Sequence, residues 1–298
     1  MPADFAGRIR EEFGEAGRAW LERLPSLLVD LTRQWDVSLG APFELSYNYV
    51  VPARRADGTQ AVLKIGVPVP EHLGEIAALR LYAGDGACRV LESDTDRCAM
   101  LLERVVPGRM LVRLVRTDDD QATRIGASVL RKLWRPVPAG SPAPFRPVAE
   151  WFRAFDRHRV AFGGPGPLPG HVFEAAATIA RALLDSAPAP VLLHGDFHHY
   201  NILSATRAEW LAIDPKGMTG DRGYDVGPLL ENPRPADGGP HSPKQLRRRL
   251  DILAEELEYD RARLRDWGIA YAVLSACWSA EHGDGWQGAV TTAEMLMV

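Results

Sequence analysis

The chain has 298 residues, 46% of them hydrophobic, enough to bury a large core as one domain or as two lobes. Its formal charge of −4 supplies no basic field for nucleic acid, and no run of about eighteen uncharged apolar residues signals a membrane span. Cys88, Cys98 and Cys277 are an odd, sparse set without a CxxC pair, which argues against a disulfide framework, and the N-terminus shows no basic segment followed by an apolar run, so export is not signalled and the cytoplasm is the expected compartment.

In chain order, Phe13, Trp20, Leu24, Leu27, Leu31 and Trp35 recur at helical spacing, and Pro25 is expected to divide this run into two helices. "FELSYNYVVPARR" and "TQAVLKIGV" are strand-like runs separated by Ala56, Asp57 and Gly58, which predicts a β-hairpin. "EHLGEIAALRLYAG" follows two prolines and reads as a helix with Leu73, Ile76 and Leu79 on one face and a stop at Gly84. "ACRVLESDTDRCAMLLERVVPG" predicts two more strands around an acidic turn, closed by Pro107 and Gly108. Beyond Met110 helical patterns dominate: "QATRIGASVLRKLWRP", "VAEWFRAFDRHRVAF", "HVFEAAATIARALLDSA" and most of residues 245–298. "PVPAGSPAPFRP" reads as a loop and "EWLAIDPKG" as a short strand ending in a turn. The order implies an α+β fold, with a small mixed lobe over residues 1–105 and a larger helical lobe over 106–298.

Polar chemistry concentrates in "VLLHGDFHHYNILS", residues 191–204. His194 and His198 have the spacing of zinc ligands on a helix, but no Glu follows His194 as HExxH requires, and Phe197 and Ile202 suggest a loop entering a strand. There is no GxSxG, so a serine nucleophile has no elbow to sit on. Asp196 and Asn201 instead match the DxxxxN spacing of phosphoryl-transfer loops, in which the Asp takes the acceptor's proton and the Asn reaches magnesium. Asp214 follows at the end of an apolar strand, where a second magnesium carboxylate is needed. The same chemistry needs a strand lysine for the nucleotide phosphates and a helix glutamate to hold it; Lys64 in "AVLKIG" and Glu75 supply them. The single literal GxGxxG, "GDGWQG" at 283–288, follows a helical run and has no strand before it, so it is not a dinucleotide loop.

"LLHGDFHHYNIL", "AIDPKGMTGDRGYDVGPLL", "AVLKIG" and "MLLERVVPG" together resemble the aminoglycoside phosphotransferase family, whose fold is similar to that of eukaryotic protein kinases. The HGDxHHxN form, "GDRGYDVGPLLENP" and "AVLSACWSAEHGDGW" are most similar to its streptomycin 6-phosphotransferase and hydroxyurea phosphotransferase branch. The resemblance implies a bilobal, protein-kinase-like fold and an ATP-dependent transfer to a hydroxyl, with GTP as a possible replacement and Mg2+ as the metal. It makes Asp196 the base, Asn201 and Asp214 the metal ligands, Lys64 the phosphate lysine and Glu75 its ion-pair partner. Glu103, Arg104 and Val105 would form the hinge that meets the adenine, and the turn over the phosphates would fall at Ser46, Tyr47 and Asn48, without the glycines usual in kinases. Asp225 would brace the catalytic loop, and His194 would hold it rather than catalyse.

A cationic aminocyclitol is best received by carboxylates. Glu281 and Asp284, close to Trp278 and Trp286, are the expected acceptor residues, whereas Asp118, Asp119, Asp120, Glu150, Asp156 and Glu231 read mostly as solvated charges. Residues 117–121 also read as a helix N-cap, and the basic face of residues 244–250 as solvated. The expected reaction is phosphorylation of streptomycin or a related aminocyclitol. The alternatives are a kinase for hydroxyurea or another small metabolite, and a kinase-like nucleotide-binding protein without turnover.

Overall fold

The computed structural model of the chain describes residues 2–138, 145–234, 239, 242–283 and 285–298. It divides into two units, Met1–Val105 and Val106–Val298.

In the first unit, helix α1 (Ala3–Gln34) precedes strands β1 (Val37–Leu39), β2 (Tyr49–Arg55) and β3 (Gln60–Ile65), helix α2 (Pro70–Tyr82), and strands β4 (Val90–Asp94) and β5 (Ala99–Glu103). The strands form one antiparallel sheet in the order β1-β2-β3-β5-β4. Its register follows from the hairpin turn, where Asp57 Oδ1 accepts the amide of Thr59 at 2.8 Å and Gly58 takes φ 87°. Phe5, Ile9, Trp20, Leu24 and Leu31 of α1 share a core with Val51, Leu63, Ile65 and Leu101 of the sheet. Each such side chain contributes roughly 1.5–3 kcal/mol when fully buried.

Two expected boundaries move. The break in α1 falls at Gly14 (φ 53°, ψ −125°), and Pro25 lies within the continuing helix. Proline removes one amide donor but holds φ near about −65°, which a helix accepts; the reversal in sign of φ at residue 14 is open chiefly to glycine. Helix α2 stops one residue before the predicted Gly84, because Ala83 itself takes the left-handed conformation (φ 50°).

The second unit opens with β6 (Pro107–Met110), so Pro107 and Gly108 start a strand rather than close the preceding hairpin. Then come α3 (Val112–Val115), α4 (Asp119–Leu133), β7 (Arg146–Pro147), α5 (Val148–Phe162), α6 (Gly170–Asp185), β8 (Val191–Leu193), β9 (Ile202–Ala205), β10 (Trp210–Ala212) and β11 (Met218–Gly220). A short 3-10 turn, Arg222–Asp225, leads into α7 (Val226–Glu231), α8 (Pro243–Leu257), α9 (Arg261–Glu281) and α10 (Gln287–Met297). Two small sheets, β10-β9-β6 and β7-β11-β8, carry the loops described below. Helix α9 buries Leu264, Trp267, Ile269, Tyr271, Val273 and Leu274 around much of its circumference, as a helix enclosed by others must.

The N-cap expectation at residues 117–121 holds, since Asp118 accepts the amide of Gln121 at 2.9 Å. The basic segment of α8 departs from expectation at one position. Arg249 is 1% exposed, pairs with Asp119 at 2.7 Å and donates to the carbonyls of Leu229 and Asn232 at 3.2 and 2.9 Å. Burial of a guanidinium is tolerable only with such partners. The three cysteines are buried and form no disulfide. Among the described residues no helix is long and apolar enough to cross a membrane.

Candidate active site

The residues singled out in the sequence fall into two sets, one in each unit. In the first, Lys64 lies on β3, the central strand, opposite Val50 and Met100. Its Nζ is 2.6 Å from Glu75 Oε1 of α2, with the two residues 4% and 5% exposed. An ammonium in an apolar strand needs such a carboxylate, and the pair fixes the lysine's head group where it would otherwise sample several rotamers. Ser46, Tyr47 and Asn48 form the bend that precedes β2; Tyr47 is 45% exposed and packs edge-on to Phe13 at 6.5 Å. Glu103 ends β5 and its Oε2 accepts the amide of Arg89 at 3.0 Å. Arg104 lies over the ring of Phe43 at 4.6 Å, and Val105 is buried.

In the second unit, the loop from His194 to Asn201 is held from beneath by one carboxylate. Asp225 accepts the amides of His194 at 3.0 Å and Gly195 at 2.8 Å, and the indole N–H of Trp134 at 3.0 Å. It is fully buried, and burial pushes its carboxyl up to about 6 against the pull of those three donors. Gly195 is required between them: its φ is 84°, and a Cβ there would stand 2.7 Å from Met218 Sδ and 3.0 Å from Lys216 Cβ.

His194 is also enclosed. Its Nε2 donates to the Ile213 carbonyl at 2.9 Å while Nδ1 accepts the amide of Asp196 at 3.2 Å, which defines a neutral tautomer. Burial lowers this imidazole to about 4, and lowers that of His199 well below its ordinary value. Both nitrogens of His194 are thus occupied in holding the loop. Among the described residues no group of three or more His, Cys, Asp or Glu is placed to hold a metal ion.

Antiparallel pairing of β9 and β10 sets Ala212 opposite Ile202, and the Ile213 amide donates to the Asn201 carbonyl at 2.9 Å. Asn201 and Asp214 therefore flank the open end of one hairpin. Asn201 Nδ2 donates to the Asp196 carbonyl at 3.0 Å, so Oδ1 is the atom left to meet a cation. Asp214 is held at φ 59°, a left-handed conformation uncommon for a residue with a Cβ and typical of functional positions. An amide oxygen beside a carboxylate is a hard-oxygen set that fits magnesium. Asp196, with its side chain 29% exposed, is flanked by His198 Nε2 at 3.5 Å and Lys216 Nζ at 3.8 Å.

Sequence reasoning passed over three neighbours of Asp196 and misread one further carboxylate of this unit. Lys216 follows Asp214 by two residues, and its amide donates to the His194 carbonyl at 2.7 Å. Burial raises the phenols of Tyr224 and Tyr271 well above their ordinary values, with the Asp196 charge adding to the rise. Glu231, read as solvated, is 3% exposed. The apolar run of residues 226–230 immediately before it was the available signal. Glu281, by contrast, is exposed at the last residue of α9, and Asp284 lies outside the described residues.

A profile of the aminoglycoside/hydroxyurea antibiotic resistance kinase family matches residues 35–283. The chain belongs to that family. It is 33% identical to a streptomycin 6-kinase of Streptomyces glaucescens over 99% of this chain and 96% of the relative. It is 34% identical to a hydroxyurea phosphotransferase of Kitasatospora aureofaciens over 91% of this chain and 77% of that one. Among solved structures, a thermostable mutant of aminoglycoside phosphotransferase APH(4)-Ia, in ternary complex with ADP and hygromycin B, superposes with a TM-score of 0.61 at 16% identity, covering 91% of this chain and 97% of that one. The fold is therefore the protein-kinase-like α+β fold, and this family member is a phosphotransferase with an alcohol group as acceptor.

Proposed function

We propose that this kinase transfers the γ-phosphoryl group of ATP to a hydroxyl of streptomycin or a closely related aminocyclitol, which inactivates the antibiotic. The observation that carries the reading is the placement of Asn201 and Asp214 on either side of the open end of the β9–β10 hairpin, with Asn201 bonded to the backbone of Asp196. The identity to a streptomycin 6-kinase over nearly the whole chain supports the acceptor class, and the ADP bound to a structural neighbour supports the nucleotide.

Asp196 accepts the proton of the acceptor hydroxyl as its oxygen bonds to the γ-phosphorus and the bond to the β–γ bridging oxygen breaks, releasing ADP. Asn201 Oδ1 and the Asp214 carboxylate would hold magnesium, which when bound would supply neutralisation of charge on the phosphate oxygens. Lys64, fixed by Glu75, binds the α and β phosphates, and the bend at Ser46, Tyr47 and Asn48 offers backbone amides to them. Glu103, Arg104 and Val105 meet the adenine edge through their backbone. GTP could replace ATP in the same site. A supply of nucleoside triphosphate and magnesium is met in the cytoplasm.

The family's hydroxyurea-phosphorylating relative gives a second acceptor to test. A kinase-like protein without turnover is disfavoured by the presence of Lys64, Asp196, Asn201 and Asp214 together. Nucleotide consumption across streptomycin, other aminoglycosides and hydroxyurea separates the three. Turnover is expected with streptomycin, and consumption with none of the acceptors would overturn the proposal. Asp196→Asn should lower kcat by about 10²–10⁴-fold with nucleotide affinity retained. Wild-type turnover in that variant would remove Asp196 from its role. Asp214→Ala should abolish the magnesium dependence of nucleotide binding, read by titration calorimetry with and without the ion.

A further inference from the structure

Glu231 ends α7 almost wholly buried, and a guanidinium serves it from one side. Arg234 Nε and Nη2 stand 2.9 and 2.8 Å from its Oε1. Ser275 Oγ donates to the same oxygen at 3.4 Å, and Asn232 Nδ2 to Oε2 at 3.4 Å. The carboxylate shares electrostatic partners with Asp196. His198, 3.5 Å from Asp196, acts electrostatically on Glu231, and Tyr271 feels the charges of Asp196, Glu231 and Arg234 together.

Two buried carboxylate–guanidinium contacts in this unit can be compared. Arg249 is enclosed and bonded to Asp119 and two backbone carbonyls, which makes it a strut. The side chain of Arg234 is 32% exposed, and its further contacts are the Gly285 carbonyl at 3.2 Å and Ser275 Oγ at 3.4 Å. A buried carboxylate reached by a partly exposed planar cation is a place where one guanidinium can be exchanged for another of the same shape. On α9, Tyr271, Ser275 and Trp278 lie at i, i+4 and i+7, along one face. Ser275 and Trp278 are partly exposed, and Trp278 packs edge-on to Trp151 at 5.0 Å, giving an aromatic wall of the kind that attracts cations.

We propose that Glu231, Ser275 and Trp278 form a guanidinium subsite for the acceptor, which Arg234 occupies in the free protein and yields when the acceptor binds. The inference rests on the phosphotransferase reading above and sharpens its substrate class to polyhydroxylated cyclitols that carry a guanidino group. Such a group brings its own fork of donors to Glu231 and leaves no buried charge unpaired during the exchange. Hydroxyurea is uncharged and cannot take the place of Arg234, so the subsite discriminates between the acceptors named for the two kinds of relative.

The test is calorimetric binding to the full chain without nucleotide, using a cyclitol bearing two guanidino groups, streptomycin, and hydroxyurea as a neutral control. Glu231→Gln should weaken both guanidino ligands by about 30-fold or more, as loss of one partner of a buried charge pair does. Arg234→Met should tighten them, because the competing guanidinium is gone. A weaker or unchanged affinity in Arg234→Met overturns the proposal, as does failure of the wild type to bind the diguanidino cyclitol. If Glu231→Gln does not fold, judged by circular dichroism, Arg234→Met alone decides. The two readings fail separately: guanidino ligands that bind as described without nucleotide consumption sink the phosphotransferase reading, whereas streptomycin turnover in Arg234→Met and Glu231→Gln with wild-type KM sinks the subsite.

Discussion

Asp225 concentrates three donors on one carboxylate: the His194 and Gly195 amides and the Trp134 indole. Asp225→Ala leaves all three buried and unsatisfied, so a loss of at least about 3 kcal/mol is expected, together with a fall in kcat, read by urea unfolding and steady-state kinetics. Trp134→Phe removes one donor and one bond and should cost about 1 kcal/mol. Gly195→Ala adds a Cβ at φ 84° against Met218 and Lys216, and about 1–3 kcal/mol of strain plus a displaced Asp196 should appear as lowered stability and lowered kcat together. Unchanged kinetics in Gly195→Ala would show that Asp196 does not depend on this loop's shape. Asp196 and Asn201 were legible in the sequence because a five-residue offset is a mechanical requirement of the reaction, carried by the residues themselves. Glu231 was not, because nothing in its identity distinguishes a solvated carboxylate from one enclosed by α7 and α9.

At the scale of elements, spacing and pairing decide what is adjacent. Val62 and Lys64 share a face of β3 by the two-residue period of a strand, and α2 returns Glu75 to the lysine. Glu75→Gln removes the carboxylate 2.6 Å from a buried ammonium, and a cost of about 3–5 kcal/mol is expected. Lys64→Met combined with Glu75→Gln should be less destabilised than the sum of the single variants, a double-mutant cycle that additive losses would contradict. The sequence period disclosed the β2–β3 and β4–β5 hairpins, β10 and most helices, since each buries a face of its own, while β1, β6, β7, β8 and β11 carry too few residues to show a period. It misplaced the break in α1, because that choice between Gly14 and Pro25 depends on which residue must reverse φ, a tertiary demand. The buried state of Arg249 was likewise hidden, since its partners Asp119, Leu229 and Asn232 arrive from other elements.

For the molecule as a whole, buried titratable groups set the response to acid. His194 falls from an ordinary 6.5 to about 4, so the unfolded chain binds a proton that the folded chain refuses. Its contribution is complete above pH 6.5 and is lost as pH falls through about 4, on the order of 3 kcal/mol; His199 acts in the same sense. Asp225 has the opposite sign: raised from 3.8 to about 6, it favours the folded state fully below pH 3.8, and that stabilisation is lost as pH rises through 6. Burial raises the Glu231 carboxyl too, so two rising branches oppose two falling ones, and His194→Gln should lose the gain in stability that His194 contributes between about pH 4 and 6.5, measurable from denaturant midpoints. A pH profile in that variant identical to the wild type's would assign the acid response elsewhere. The buried cysteines, none of them in a disulfide, have a practical consequence. Burial raises the thiols of Cys98 and Cys277, the latter to about 12, which suppresses the thiolate that reacts with maleimides and iodoacetamides. A single cysteine introduced on an exposed turn such as that at Asp57 therefore provides one fast-labelling position for a fluorophore on the native background.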